Sequence, residues 1–229
     1  MIFFISLFFP CVVFAQLLRF SPDAIPLEGD SIIFRVEFNE LDLETTKIQD
    51  RILYYLTNEL VPDSIHLVNY GSNKSVCQVV DRFNYNSGAL QTNIMCMLYE
   101  LAFEYKDNSC KMTLHNIEFM EKEEYIRMLT YLPLRSWLKK NDFNIIPAKK
   151  IMVDKSFKAI FVRRASEKIT QQVLEKINNI IKDIESIITT DEKNFNIKPF
   201  NIHSITGINE CSGMANATGA HYDAMVGNN

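Results

Sequence analysis

The fold is decided by residues 98–119, which read LYELAFEYKDNSCKMTLHNIEF and contain two alternating runs around a polar turn. Apolar side chains recur at every second position on both sides of the turn, at Leu101, Phe103 and Tyr105 and then at Cys110, Met112 and Leu114. A period of two describes a strand with one buried face, so the stretch predicts an antiparallel hairpin that turns at residues 106–108. Residues 90–98 alternate in the opposite parity, which predicts a β-bulge near Tyr99 and Glu100.

A strand, a helix and two further strands are predicted upstream of this hairpin. The first strand is indicated by alternating apolar residues at Ile32, Phe34, Val36 and Phe38. Residues 48–60 then repeat apolar positions with helical spacing, behind a capping threonine at Thr45 or Thr46. Short runs of β-formers bounded by turn residues predict strands at 65–70 and 76–83. The predicted order is therefore β-α-β-β-β-β, an α+β domain built on an antiparallel sheet.

A long amphipathic helix closes the predicted domain. It runs from about Phe157 or Ser166 to residue 188, and its apolar stripe contains Leu174, Ile177, Ile181, Ile184 and Ile188. Further isoleucines widen this stripe beyond a coiled-coil seam, which favours docking on a sheet. The alternative is a homodimer formed through the same five residues. A shorter helical pattern, interrupted by Pro133, lies between the hairpin and this helix.

The amino-terminal segment predicts export. Residues 1–18 carry no charge and are rich in Phe, Ile, Leu and Val, and small residues precede a predicted cleavage between Ala15 and Gln16. An uncleaved membrane anchor is the alternative, although the run is slightly shorter than the roughly 20 apolar residues of a spanning helix and contains Pro10. Lipidation at Cys11 fits less well, because bulky residues come directly before it.

The composition is typical of a globular protein, and its charge pattern does not predict nucleic-acid binding. Of the 229 residues, 47% are apolar and 23% are charged, and the formal net charge is -4. Phosphate recognition needs clustered Lys and Arg, and the sequence has no basic stripe interleaved with aromatic residues. Nucleic acid is therefore not an expected partner.

Cysteine usage is compatible with export. No CxxC pair is present, so neither a zinc ribbon nor a dense disulfide scaffold is indicated. If Phe83 pairs with Leu90 across the turn, Cys77 lies opposite Cys96, and antiparallel neighbours about 4.5–5.5 Å apart can form a disulfide. The favoured interpretation is two buried thiols that pack as small hydrophobic residues, because one residue of register error would put them on opposite faces of the sheet.

The sequence contains no recognisable catalytic or metal-binding motif. The four histidines are dispersed, at His66, His115, His203 and His221. There is no HExxH pattern, nucleophile elbow, phosphate-binding loop or dinucleotide fingerprint. We therefore expect no metal and no cofactor. An enzyme would need a pocket that gathers groups such as Asp81, His115 and Glu118.

The order of the elements resembles a bacterial family of domains of unknown function, numbered four-four-six-eight and described as having a TBP-like fold. The resemblance is carried by the strand 32–38, the helix 48–60, the hairpin 98–119 and the closing helix 165–188. In the family the hairpin turn usually reads Lys-Asp-Gly, and Asn108 here replaces the glycine, which is tolerated because Asn also accepts positive φ. The resemblance covers residues 31–190 and implies a TBP-like α+β fold with helices packed on one face of the sheet. It implies no reaction.

The sequence thus predicts an exported protein of a Gram-negative bacterium, located in the periplasm or cell envelope. We expect a signal peptide at 1–15, a lead-in at 16–30, one domain at 31–190 and a disordered tail at 191–229, where Gly, Asn, Ser and Ala are concentrated. The expected function is that of a non-catalytic binding or envelope-associated module for an unidentified protein or small ligand. The alternative is a hydrolytic enzyme with an unrecognised active site.

Overall fold

The structure is a computed structural model that describes residues 20–60, 62–86, 92–131, 133, 139–155 and 162–190. The predicted Ala15–Gln16 junction, Cys11 and the tail 191–229 lie outside the described residues. The strands are β1 (Leu27–Glu28), β2 (Ser31–Ile32), β3 (Phe34–Phe38), β4 (Ser64–Tyr70), β5 (Lys74–Asn86), β6 (Thr92–Lys106), β7 (Ser109–Glu121) and β8 (Ile146–Pro147). The helices are α1 (Thr45–Tyr54), which continues as a π-turn over Tyr55–Glu59, α2 (Lys122–Tyr131), α3 (Ala148–Met152) and α4 (Val162–Thr189).

One antiparallel sheet organises the described chain. Its strands lie in the order β3-β7-β6-β5-β4, and β8 pairs with β7 beyond the end of β3. The predicted order of one strand, one helix and four consecutive strands is confirmed. The hairpin between β6 and β7 turns at Asp107 and Asn108, and Asn108 has a φ of 60°, the left-handed conformation that asparagine tolerates.

The register shift predicted near Tyr99 and Glu100 is confirmed, although the extra residue lies on β7 rather than on β6. The register between the two strands shifts opposite Tyr99, and the extra residue belongs to β7, where Asn116 has a φ of 53°. The side chains that face the larger core therefore switch parity within β7, from Leu114 to Ile117. The prediction placed the bulge near Tyr99 and Glu100 because Cys96 and Leu98 are also apolar, but these side chains belong to a second core on the other face.

Helices α1, α3 and α4 pack on one face of the sheet and enclose the larger core. The α4 stripe lies inside this core, where Leu174, Ile177, Ile181, Ile184 and Ile188 are at most 3% exposed. The preference for docking on the sheet is confirmed. The alternative homodimer through these five residues is not compatible with this packing, since their side chains are already buried within the same chain.

Helix α2 lies on the opposite face and covers only one end of the sheet. Its Tyr125 and Met128 pack with Cys96, Met120 and Phe143 in a smaller second core. The prediction that helices pack on one face of the sheet is therefore correct for α1, α3 and α4, whereas α2 forms a partial layer on the other face. The rest of this second face, towards the β6–β7 turn, carries no helix of the described chain.

The lead-in packs against the domain from Phe20 onward. The Phe20 N–H donates to Asn178 Oδ1 at 3.0 Å, and Asn178 Nδ2 donates to the Phe20 carbonyl at 3.0 Å. The Phe20 ring meets the Phe34 ring edge-on, with centroids 4.8 Å apart. Residues 20–30 are thus held to β3 and α4.

The register between β5 and β6 separates the two cysteines that the sequence placed together. Cys77 lies opposite Leu101, and Cys96 lies opposite Arg82, because the strands pair as far as Asn86. Cys77 faces the larger core and Cys96 the smaller one, so the structure does not allow the disulfide and agrees with the favoured interpretation of two buried thiols. Both are free, buried thiols, and Cys77 Sγ donates to the Leu101 carbonyl at 3.4 Å.

Candidate binding face of the sheet

The three groups considered for an enzyme pocket lie on different sides of the sheet. Asp81 faces α4, whereas His115 and Glu118 belong to the opposite face. His115 Nδ1 lies 3.8 Å from Glu100 Oε2, and Glu118 forms an ion pair with Lys140. The sheet itself separates Asp81 from the other two, so these residues do not form a common site.

Asp81 instead belongs to a buried polar network that joins the sheet to α4. Its carboxylate accepts a hydrogen bond from the Tyr99 hydroxyl at 2.9 Å and lies 3.1 Å from Lys176 Nζ. Burial raises the pKa of the Asp81 carboxyl above its ordinary value, although the Lys176 charge and the two hydrogen bonds oppose this effect. The network satisfies a charge inside the core and is consistent with a structural role.

The uncovered part of the second face begins with a row of polar side chains across four strands. His66, Gln78, Glu100 and His115 occupy successive cross-strand positions on β4, β5, β6 and β7. Glu100 accepts hydrogen bonds from Asn116 Nδ2 at 2.8 Å and from Gln78 Nε2 at 3.4 Å. Three strand spacings of about 4.8 Å put His66 and His115 about 14 Å apart, too far to share a metal ion.

A second row near the β6–β7 turn carries alternating charges. Lys74, Glu104, Lys111 and Glu37 are successive cross-strand neighbours on β5, β6, β7 and β3. Opposite charges placed directly across strands stabilise a sheet, typically by a few tenths of a kcal/mol per pair. The row has two positive and two negative side chains, so it has no excess positive charge for phosphate contacts.

Between these rows lies a strip of smaller side chains. Val76, Ala102 and Thr113 are cross-strand neighbours, and Arg35 on β3 ends the strip with an ion pair to Glu28. We call the polar row, this strip and the charged row together the open face. It combines a small apolar centre with polar borders, a pattern common in protein interaction surfaces.

The structure also shows how the histidines and cysteines are distributed. His66 is exposed and His115 is half-buried, whereas His203 and His221 lie outside the described residues. Among the described residues, no three His, Cys, Asp or Glu side chains come close enough to hold a metal ion. Burial raises the pKa of Cys77 and of Cys110 to about 12, so these thiols are held in the protonated form.

Arg51 is a structurally important residue that the sequence reasoning missed. It is only 4% exposed, and its Nη1 lies 3.0, 3.1 and 2.6 Å from the carbonyl oxygens of Ile187, Ile188 and Thr190. These carbonyls belong to the end of α4, where helical partners are lacking. The sequence offers one signal for such a contact, since α4 has no basic residue in its last turn to interact with its own carboxyl end.

A depression of about 490 Å³ lies beside this contact. It is lined by the loop before α1, by Lys47 and Arg51 of α1, by Asn108 of the β6–β7 turn and by the last residues of α4. The Arg51 guanidinium in its wall is engaged with the end of α4. Within the described residues, no helix is both long and apolar enough to cross a membrane.

Comparisons with known proteins agree with this architecture. Residues 34–120 match the family model described as a domain of unknown function (DUF4468) with TBP-like fold. No curated protein matches the chain. The fold is similar to the crystal structure of a DUF4468 family protein from Bacteroides ovatus, with a TM-score of 0.51 and 14% identity over 73% of this chain and 92% of that one.

A TBP-like protein from Parabacteroides distasonis gives a second structural match. Its TM-score is 0.50 at 11% identity, and the match covers 73% of this chain and 99% of that chain. At these identities the two structures show the fold alone. The resemblance found in the sequence is therefore confirmed: residues 34–120 match DUF4468, and the chain has the TBP-like fold.

Proposed function

We propose that the chain is an exported, non-catalytic binding module whose open face contacts its partner. The observation that supports the binding role most directly is the open face itself, which no helix of the described residues covers, while α1, α3 and α4 pack on the other face of the sheet. Helix α2 covers only the end around Cys96 and Met120. A half-covered sheet in a small domain leaves polar and small side chains in a fixed array that a partner can recognise.

The chemistry of the open face suits recognition better than catalysis. Glu100 is engaged by Gln78 and Asn116 and lies beside His115. A carboxylate held by such neighbours is oriented, so its acceptor oxygens and the amide groups around it present a defined hydrogen-bonding pattern to a partner. The enzyme alternative required Asp81, His115 and Glu118 to converge on one substrate, whereas the sheet separates Asp81 from the other two.

The shape of the open face favours a protein partner over a small molecule. Small-ligand sites are usually concave and enclose most of the ligand. The strip formed by Val76, Ala102 and Thr113 is shallow, since its side chains are short and lie between two polar rows. A protein surface with a complementary apolar centre and mixed charges at its rim fits this arrangement.

Export is supported by the uncharged apolar leader that ends near Ala15. Amino-terminal sequencing of the protein isolated from its own cells tests this half of the proposal. We expect the mature chain to begin at Gln16 and to fractionate with the cell envelope or periplasm. A cytosolic protein that retains Met1 would contradict it.

The binding role is tested by site-specific photo-crosslinking in the cells of origin. A photoreactive amino acid replaces Gln78 on the open face or, as the matched control, Asn179 on the exposed side of α4. We expect a discrete adduct from position 78 and none from position 179. The crosslinked partner is then titrated with purified Gln78→Arg and Asn179→Arg variants, and only Gln78→Arg should weaken binding. Equal effects of the two variants, or no adduct from position 78, would refute the role of the open face.

A further inference from the structure

Strand β4 is an exposed sheet edge with few of the usual protections. Among the described residues it pairs only with β5, on one side, and its sequence from Ser64 to Tyr70 contains no Asp, Glu, Lys, Arg or Pro. Val68 and Tyr70 are 54% and 51% exposed. Natural edge strands are usually kept apart by charges, prolines, bulges or covering segments, and β4 has only the irregularity near Val68. Such an edge is a template for pairing with another strand.

The opposite side of the sheet shows the contrast. There β3 carries Arg35 and Glu37, both exposed, and β8 occupies the edge of β7 beyond it. Charged side chains on an edge oppose pairing with a second strand. Of these two edges of the described sheet, only β4 therefore lacks protective charged side chains.

Helix α2 contributes an apolar surface beside the same edge. Its Tyr125 side chain hydrogen-bonds to Ser64, the first residue of β4. Leu129 lies one turn beyond Tyr125, and Ile126 is adjacent on the same side, since successive helical residues are 100° apart. The two are 48% and 47% exposed. The other side of α2 faces β8, because Arg127 lies over the Phe143 ring at 5.5 Å.

We propose that β4 and the adjoining side of α2 form the interface of a homodimer in which the β4 strands of two copies pair antiparallel. A two-fold axis perpendicular to the sheet keeps both α2 helices on the same face. It also brings the Val68 end of each strand to the Ser64 end of the other, beside Leu129 and Ile126. Each copy thus supplies both the uncharged strand and the apolar surface that receives it.

The self-complementary shape of this surface selects a second copy as the occupant. Antiparallel pairing turns the exposed Val68 and Tyr70 of each strand towards the apolar side of α2 in the other copy. The charged residues that flank β4 are already paired within the chain, since Asp63 lies 3.3 Å from Arg82 and Lys74 is the cross-strand neighbour of Glu104. Ser64–Tyr70 contains no Asp, Glu, Lys or Arg, so self-pairing meets no repulsion along the strand.

Sedimentation equilibrium of the full chain, expressed from Met1 and purified as its host processes it, tests this inference. We compare the wild type with Val68→Lys on the strand, Leu129→Glu on α2 and Leu27→Lys as the matched control. Leu27 is 42% exposed and lies on β1, away from β4. Circular dichroism and thermal unfolding establish that each variant is folded.

The wild type is expected to dimerise at micromolar concentration. Val68→Lys and Leu129→Glu should each raise the dimer dissociation constant by about tenfold or more, because each puts a charge into an apolar, symmetric contact. Leu27→Lys should leave the constant unchanged. The proposal is overturned if folded Val68→Lys or folded Leu129→Glu leaves the dissociation constant unchanged, or if folded Leu27→Lys raises it. A monomeric wild type also overturns it, whether the edge is empty or taken by another protein's strand.

Discussion

Replacing Arg51 by methionine measures how strongly α1 secures the end of α4. Arg51 Nη1 carries two hydrogens and faces three carbonyl oxygens, so at most two well-formed hydrogen bonds are counted. A hydrogen bond from a charged donor contributes about 1.5–3 kcal/mol. The lower value applies here, because the carbonyl of the half-buried Thr190 can be rehydrated once the arginine is removed. Methionine fills a similar volume, and we therefore expect Arg51→Met to lower the free energy of unfolding by about 3 kcal/mol.

Urea denaturation followed by circular dichroism measures this loss. Arg35→Met is the matched control, since Arg35 is an exposed partner of Glu28, and surface substitutions of this kind usually change stability by less than about 0.5 kcal/mol. The m-value should be the same in both variants, because the same surface is exposed on unfolding. An Arg51→Met protein that is destabilised by no more than Arg35→Met would refute the reasoning that the helix end depends on this contact.

Three further predictions follow from individual side chains. Because burial raises the pKa of Asp81, its protonated form favours the fold, so stability present at low pH is lost as the pH rises through the folded-state pKa. Asp81→Asn should remove that slope from urea denaturation curves recorded between about pH 4 and pH 7, and an unchanged slope would contradict the assignment. Asn108→Ala should destabilise the protein by about 1 kcal/mol, since alanine is strained at φ 60°, while Asn108→Gly should cost nothing measurable by thermal unfolding. Cys77 and Cys110 should react with a thiol reagent at pH 8 only after denaturation, as judged by mass spectrometry of peptides, and rapid labelling of the native protein would refute their burial.

The parts of the fold that the sequence predicted well are those with one buried face. In the hairpin, Phe103 and Tyr105 point inward while Glu104 and Lys106 are exposed, so a period of two records the fold directly. The same holds for the wide isoleucine stripe of α4, whose width indicated a sheet rather than a second helix. Local pattern is sufficient where burial differs between neighbouring residues.

Pattern was insufficient where both faces of the sheet are buried. Met95, Cys96 and Met97 are all fully buried, because α2 covers this end of the second face. The alternation that would fix the register is therefore lost between residues 95 and 98. The register considered for a Cys77–Cys96 disulfide differs from the observed one, in which Phe83 lies opposite Met95. The small second core itself could not be anticipated, since α2 has only two buried residues, Tyr125 and Met128, on its sheet-facing side.

Long-range polar contacts were the second feature of the structure that sequence pattern could not predict. The need for a positive group at the end of α4 is visible from its last turn, but its supplier lies 136 residues earlier in the chain. The open face could not be predicted for the same reason. His66 and Gln78 carry no motif, and only the cross-strand register places them in one row with Glu100 and His115.

Because α2 covers only part of the second face, the two ends of the β6–β7 hairpin should differ in mobility. Near Cys96 and Met120 the strands are enclosed on both sides, whereas near Asp107 only one side is packed. Amide deuteration should accordingly be slowest under α2 and progressively faster towards the hairpin tip. Local opening of β6 and β7 would then start at the hairpin tip. In the binding role proposed above, this opening adjusts the charged row near the turn to a partner while the end under α2 stays rigid.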